Sequence, residues 1–177
     1  GREVTVEVAP GIFSPGGLDK GTAVLLDEVP NPPPSGIFLD LGCGWGPLAL
    51  AMALLAPAAT IHAVDVNERA LDLTRRNAAR LGLKGIHAVT PDRVDPGTRF
   101  DLIWSNPPIR IGKAALHALL RTWLPRLDRN GTAYLVVQRN LGADSLARWV
   151  EADLGMPCTR LASHRGFRVL QVSADSV

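Results

Sequence analysis

The chain has 177 residues, of which 46% are hydrophobic and 20% are charged, so it has the length and composition of one globular domain with a sizeable core. This composition argues against a disordered chain, and Pro57 and His62 interrupt the longest apolar stretch, which argues against a membrane span. Only two cysteines are present, Cys43 and Cys158, so we expect no structural disulfide and a reducing, cytoplasmic location.

The charge is distributed unevenly along the chain. Residues 1–105 carry 9 Lys and Arg against 12 Asp and Glu, whereas residues 106–177 carry 10 against 5. The net charge is only +2, so charge alone does not indicate a nucleic-acid partner. The excess in the second part would suit a polyanion, and an ordinary solvated surface explains it equally well.

The hydrophobic pattern predicts strands that alternate with helices. In chain order it predicts a strand at 4–8, a turn at 15–17, a helix at 21–29, a strand at 37–41, a helix at 48–56, a strand at 60–65, a helix at 68–81, a strand at 86–90, a strand at 100–105, a helix at 113–127, a strand at 132–138, a helix at 145–154, and strands at 159–164 and 168–173. This order favours a mostly parallel α/β sheet with helices on both faces, closed by an antiparallel hairpin that turns at Arg165 and Gly166. Residues 1–35 are predicted to form an N-terminal strand and lid segment, and residues 36–177 the α/β domain itself, within a single domain overall.

A glycine-rich loop, Asp40-Leu-Gly-Cys-Gly-Trp-Gly46, lies between a predicted strand and a predicted helix. Its candidate cofactor-binding residues are Asp40, Gly42, Cys43, Gly44 and Gly46. The glycines permit a tight turn and close approach of the backbone to a ligand. An acid before the glycines suits the ammonium of an amino-acid-like cofactor, whereas a dinucleotide pyrophosphate would be repelled by it.

Acidic residues follow the next two strands. Asp65, with Val66 beside it, stands at the end of a strand, where a carboxylate can bind ribose hydroxyls, while Asn67 is predicted to cap the next helix. Asp92 is a weaker candidate for the amino group of an adenine, and the alternative is that it only shapes a turn.

The N-terminal segment supplies three further candidates. Phe13, Asp19 and Thr22 are predicted to form part of a lid over the cofactor. The alternative, that this segment packs as an N-terminal strand on the domain, is compatible with the lid.

The strand at 100–105 ends in Asn106-Pro107-Pro108-Ile109. The two prolines make the turn stiff and extended, so that the Asn106 oxygen and neighbouring carbonyls can be aimed at one point. Two aimed acceptors suit a planar NH2 group, and they favour a pyramidal nitrogen as it accepts a methyl group. These four residues are therefore the candidate catalytic residues of an amine methyltransferase. The alternative is that the prolines merely end a strand.

Two basic residues follow this turn. Arg110 and Lys113 are candidate substrate-binding residues that would hold phosphates, although solvent exposure alone would also account for them. The scattered histidines predict no metal site.

Four segments together resemble a known family. They are Phe13-Ser-Pro-Gly-Gly-Leu-Asp-Lys-Gly-Thr22, residues 40–46, Asn106-Pro-Pro-Ile-Arg-Ile-Gly-Lys113, and Gln138 followed by Gly142-Ala-Asp-Ser145. They resemble the small-domain class I methyltransferases, which include bacterial small-subunit rRNA guanine-N2 methyltransferases.

The resemblance implies a Rossmann-like, seven-stranded sheet, S-adenosylmethionine as the cofactor, and a guanine amine of rRNA or of the small ribosomal subunit as the acceptor. It also implies that Asp40, Gly42, Gly44 and Asp65 bind the cofactor and that residues 106–109 hold the amine. Well-known bacterial members carry two tandem methyltransferase-like domains, whereas this sequence holds one copy.

Several alternatives remain open at this point. One alternative acceptor is a protein glutamine, an adenine or a small-molecule amine, although Ile109 stands where such enzymes usually have an aromatic residue. A non-catalytic RNA-docking module that binds the cofactor is a second alternative. A dinucleotide oxidoreductase is disfavoured by the glycine spacing and by Asp40.

Overall fold

Five helices and seven strands make up the part of the chain that the computed structural model describes, namely residues 3, 5, 7 and 17–174. The helices are α1 (Lys20–Glu28), α2 (Pro47–Leu55), α3 (Glu68–Arg80), α4 (Lys113–Trp123) and α5 (Ala143–Leu154). The strands are β1 (Ile37–Leu41), β2 (Thr60–Val64), β3 (Ile86–Val89), β4 (Phe100–Ser105), β5 (Leu127–Gln138), β6 (Cys158–His164) and β7 (Phe167–Ser173).

The strands form one sheet in the order β3-β2-β1-β4-β5-β7-β6. The first five strands in this order are parallel, and β7 pairs antiparallel with both β5 and β6. The turn between β6 and β7 has positive φ at both central residues, 51° at Arg165 and 80° at Gly166, as a tight hairpin requires. The predicted Rossmann-like sheet and its closing hairpin are confirmed.

Helices cover both faces of this sheet and bury one large hydrophobic cluster on each face. On one face α1, α2 and α3 pack against the sheet, with Leu25, Phe38 and Leu71 fully buried. On the other face α4 and α5 pack against the sheet through Leu120 and Val150, which are also fully buried. Apolar side chains on both faces explain why the central strands are almost continuously hydrophobic.

One predicted helix was too long. The sequence predicts a helix over 113–127, but α4 ends at Trp123 and a 3-10 turn follows at Leu124–Arg126. Pro125 cannot donate a backbone hydrogen bond, which explains the early end. The next strand begins at Leu127 instead of 132. Leu127 pairs with Phe100 of β4, and the register then shifts so that Thr132 pairs with Leu102.

Some predictions lie on residues that the structure does not describe. The strand at 4–8 falls mostly outside the described residues, and Phe13 lies wholly outside them. The boundary at residue 35 stays a prediction, although Val24 and Leu25 of α1 belong to the same core as β1. Among the described residues, no helix combines the length and the hydrophobicity needed to cross a membrane.

Candidate active site

The carboxyl ends of the central strands bring the candidate residues to one edge of the sheet. Asp40 lies in β1, Asp65 directly follows β2, and Asn106 directly follows β4. In β4, the Ser105 hydroxyl donates a 2.7 Å hydrogen bond to the Leu41 carbonyl and joins the ends of β4 and β1. Ligands of open α/β sheets bind at this edge, between strands whose connections diverge to opposite faces.

The glycine loop turns sharply between β1 and α2. Its glycines at 42, 44 and 46 all have positive φ, of 74°, 57° and 97°. The backbone N–H groups of Gly42 and Cys43 both donate to the Val64 carbonyl, at 2.8 and 2.9 Å. A β-carbon on Gly46 would lie only 2.9 Å from Thr74, so a larger residue there would strain both the backbone and the packing.

Asp40 is buried beneath this loop. Its side chain is 1% exposed, and Oδ2 accepts a 2.9 Å hydrogen bond from the backbone N–H of Ala49 in the first turn of α2. Burial raises the pKa of the Asp40 carboxyl from 3.8 to about 7; the Ala49 hydrogen bond opposes this rise, and the charge of Asp65 adds to it. A carboxyl poised near neutrality gains strongly from a cation placed beside it.

Asp65 fixes the glycine loop from the neighbouring strand. Its Oδ2 accepts a 2.9 Å hydrogen bond from the Gly44 N–H, and Oδ1 accepts one of the same length from the Asn67 N–H. The side chain of Asn67 caps α3 by accepting from the backbone N–H groups of Arg69 and Ala70. The capping role therefore belongs to Asn67, as predicted, and Asp65 is left at the edge of the cleft.

The Asn-Pro-Pro turn lies directly against the glycine loop. A β-carbon added to Gly42 would come within 3.9 Å of Pro108 Cδ, so the two loops approach each other closely at that point. The amide of Asn106 is held by α1: Nδ2 donates to Asp19 Oδ2 at 2.9 Å and to Thr22 Oγ1 at 3.1 Å. Both amide protons are thereby used, and the orientation of the amide follows from its acceptors.

Between these loops lies a cleft of about 320 Å³. Predicted residues that line it are Gly42, Gly44, Asp65, Val66, Asn106 and Pro108. A smaller adjoining recess is lined by Thr22, Asp40, Cys43 and Asn106. The structure thus brings together the predicted residues from the glycine loop, the end of β2 and the Asn-Pro-Pro turn.

Other predicted residues lie apart from the cleft. Pro107 is buried behind the turn, and Gly46 lies beneath the loop against Thr74. The Asp92 side chain is 78% exposed and 4.0 Å from Arg93, and its neighbour Pro91 is the residue that lines the cleft. A hydrogen bond from the Thr90 side chain lowers the pKa of Asp92, in keeping with the turn that the sequence offered as the alternative.

Sequence reasoning missed the apolar wall of the cleft. Leu119 and Trp123 of α4 and Ile111 line it opposite the acidic edge. Trp123 is 3% exposed, and it is one of the residues that line the cleft. Which helical residues face the cleft depends on how α4 packs across the sheet, and no local motif encodes that.

The residues after the Asn-Pro-Pro turn reach a different pocket. Ile109 and Lys113 line a pocket of about 130 Å³ between α4 and α5, together with His117 and Ser145. Arg110 is exposed beside it. Within the described part of the chain, no group of three or more His, Cys, Asp or Glu is placed to hold a metal ion.

Comparisons with known proteins agree with this geometry. The family model for the methyltransferase small domain matches residues 3–171. An uncharacterized Bacillus subtilis protein, YbxB, is 35% identical over 153 residues, which cover 85% of this chain and 76% of that protein. Ribosomal RNA small subunit methyltransferase C of Acinetobacter baylyi is 33% identical over 180 residues, which cover 97% of this chain and 52% of the relative.

A solved structure shows the same fold. It is the 16S rRNA N2 G1207 methyltransferase of T. thermophilus in complex with AdoMet and guanosine, with a TM-score of 0.76 and 24% identity. The match covers 94% of this chain and 46% of that one. The chain therefore spans about half the length of the rRNA methyltransferases that it matches.

Proposed function

Since the chain belongs to the methyltransferase small domain family, we propose that it methylates the exocyclic N2 amine of a guanine in small-subunit ribosomal RNA. The cofactor is S-adenosylmethionine, which when bound supplies a methyl group already activated by its positively charged sulfur. The protein must therefore position the amine, stabilise the charge that develops on it and exclude competing acceptors.

The orientation of Asn106 carries this proposal. Its Nδ2 donates to Asp19 and Thr22, so the carbonyl oxygen of the amide points away from these two acceptors. Among the described residues none donates a hydrogen bond to this oxygen, which leaves it free to accept an N–H of the substrate. An acceptor fixed in this way favours a pyramidal amine, which is the form that the nitrogen takes in the transition state.

Asp19 and Thr22 therefore act through Asn106. Asp19 Oδ2 also accepts the backbone N–H groups of Gly21 and Thr22, at 2.9 and 3.2 Å, so one carboxylate caps α1 and orients the amide. Thr22 is 2% exposed and held in the core. We assign to both residues a positioning role, in place of the lid role that the sequence suggested.

The cleft fits the proposed cofactor. Asp65 at its acidic edge would bind the ribose hydroxyls, and the apolar wall of Ile111, Leu119 and Trp123 would cover the adenine. Asp40 would bind the ammonium of the methionine part, directly or through water, because its buried carboxyl lacks a cationic partner among the described residues. Gly42 and Gly44 let the backbone approach the ligand closely.

The names of the relatives and the charge near the site support RNA as the substrate. Four exposed basic side chains lie at the carboxyl edge of the sheet, one at the start of α4 and three in the connections: Lys113, and Arg110, Arg139 and Arg165. In the region that the structure describes, none of the four forms an ion pair, so their charges are available to phosphates.

The test is transfer of labelled methyl groups from S-adenosylmethionine to small-subunit rRNA that lacks the modification. Naked RNA and assembled subunits are compared, and the labelled nucleoside is identified by mass analysis. We expect N2-methylguanosine. Label in another nucleoside, or in a ribosomal protein alone, would contradict the guanine-N2 assignment.

Asn106→Ala separates chemistry from cofactor binding. We expect kcat to fall roughly 100-fold, by analogy with the loss of one fixed hydrogen-bonding group in an active site, while the Kd for S-adenosylmethionine stays within about threefold. Asn31→Ala is the matched control, because Asn31 is exposed and precedes β1 at the opposite edge of the sheet. Equal loss of binding and turnover in Asn106→Ala would contradict the role assigned to Asn106.

A further inference from the structure

We propose that Phe167 is the residue on which the target base stacks, and that Arg165 binds the phosphate of the same nucleotide. This inference rests on the proposed function and specifies how the acceptor is held. Neither residue belongs to a motif that predicts a nucleotide site.

An open cleft lies beside the Asn-Pro-Pro turn, on the side formed by α1 and the C-terminal hairpin. It has a volume of about 660 Å³ and is lined by Leu18, Asp19, Lys20, Gln138, Arg165 and Phe167, together with Gly17. Residues of the cofactor cleft do not line it, yet Asp19 also contacts Asn106. The Asp19–Asn106 hydrogen bond therefore lies between the cofactor cleft and this second cleft.

The Phe167 ring and the Asn106 amide both lie close to Gly21 in α1. A β-carbon built on Gly21 would lie 3.0 Å from Phe167 Cε1, 3.1 Å from Asp19 Oδ2 and 3.2 Å from Asn106 Nδ2. The edge of the ring, the carboxylate and the amide thus surround a single point. A planar base stacked on the exposed part of this half-buried ring would lie beside Asp19, the residue that holds the Asn106 amide.

The ring stands on a rigid support. Phe167 is the first residue of β7 and pairs with Gln138 at the end of β5. The Arg139 N–H donates to the Gly166 carbonyl at 2.8 Å, which extends the hydrogen bonding between these two chain segments one residue beyond the Gln138–Phe167 pair. The inner part of the ring packs against the core beneath α1. An aromatic ring fixed in this way stacks on a base with little loss of conformational entropy.

Polar groups around the ring complement a guanosine nucleotide. Arg165 is exposed in the hairpin turn, where its charge can bind a phosphate. The exposed Gln138 amide and the Oδ1 atom of Asp19, which accepts no hydrogen bond from the described residues, are available to the polar edge of the base. Guanine presents N–H donors at N1 and N2, which suit a carboxylate, whereas adenine has no donor at N1.

Three substitutions at one position test the stacking role in the full chain. Phe167→Leu keeps the apolar packing under α1 but removes the ring, whereas Phe167→Tyr and Phe167→Trp keep an aromatic face. We expect KM for the RNA to rise roughly 10-fold or more in Phe167→Leu, with the Kd for S-adenosylmethionine unchanged, and to return towards wild type in the two aromatic variants. Thermal melts verify that each variant is folded. An unchanged KM in Phe167→Leu would overturn the inference.

Direct binding of a nucleotide gives a second measurement that needs no turnover. Saturation-transfer NMR with guanosine 5′-monophosphate should show transfer to the base proton H8 in the wild type and in Phe167→Tyr, and its loss in Phe167→Leu. Arg165→Ala should weaken binding of this nucleotide more than binding of guanosine. Equal transfer in Phe167→Leu and wild type would refute the stacking role.

The two proposals can fail separately. If the wild type labels no guanine but the nucleotide binds through Phe167, the proposed function fails and the site stands. If the wild type forms N2-methylguanosine and Phe167→Leu is equally active at low RNA concentration, the inference alone fails.

Discussion

Replacement of Asp40 by asparagine should stabilise the cofactor-free protein at neutral pH while it weakens the binding of S-adenosylmethionine. The carboxyl is 1% exposed, and burial raises its pKa from 3.8 to about 7. Asparagine keeps an oxygen that can accept the Ala49 hydrogen bond, and it carries no charge that must be buried.

The magnitude follows from the change in pKa. A rise from 3.8 to about 7 means that the free energy of unfolding is about 4 kcal/mol higher when the carboxyl is protonated than when it is charged. Because the folded-state pKa lies above the unfolded value, the folded chain retains the proton longer. The stabilisation by Asp40 is therefore complete below pH 4 and is lost as the pH rises through 7. At pH 5 roughly 2–3 kcal/mol of it remains.

Urea unfolding at pH 5 and pH 8.5 measures this effect. The free energy of unfolding of Asp40→Asn minus that of the wild type should increase by roughly 2–3 kcal/mol between the two pH values, since other titrating groups cancel in the difference. Isothermal titration should show weaker cofactor binding by the variant. For the wild type, the affinity should rise with pH through 7, because the charged carboxylate attracts the ammonium. A stability difference that is the same at both pH values would refute the argument.

Four further substitutions test the remaining contacts. Asp19→Ala should lower kcat roughly 10-fold through Asn106 and the free energy of unfolding by about 1 kcal/mol through the lost cap, and an unchanged kcat would contradict the positioning role. Gly46→Ala should lower the free energy of unfolding by about 1–3 kcal/mol, because φ is 97° there and a β-carbon would lie 2.9 Å from a side chain of α3; a melting temperature equal to wild type would contradict this. Asp65→Ala should raise the Kd for S-adenosylmethionine roughly 10-fold, since it loses the ribose contact. Asn67→Ala should lower only the free energy of unfolding, by about 1 kcal/mol, because it removes the helix cap. Weaker cofactor binding in Asn67→Ala, with unchanged binding in Asp65→Ala, would contradict both assignments.

The sequence determined the architecture and the location of the site. Strands and helices alternate with periods that can be read locally, so the sheet, its hairpin and most element bounds followed from the pattern. The glycine loop, Asp65 and the Asn-Pro-Pro turn directly follow strands of a parallel sheet, and topology brings such positions to one edge. The error at 113–127 arose because the apolar pattern runs on past Pro125.

Only the tertiary structure decided how the site residues are held and charged. The Asp19–Asn106 hydrogen bond joins residues that are 87 positions apart, and no local pattern specifies such a contact. The pKa of Asp40 depends on complete burial, which requires α2, the glycine loop and the neighbouring strands to be packed together. The position of Phe167 beside Asn106 likewise depends on the register of the antiparallel hairpin, which long-range pairing across the sheet determines.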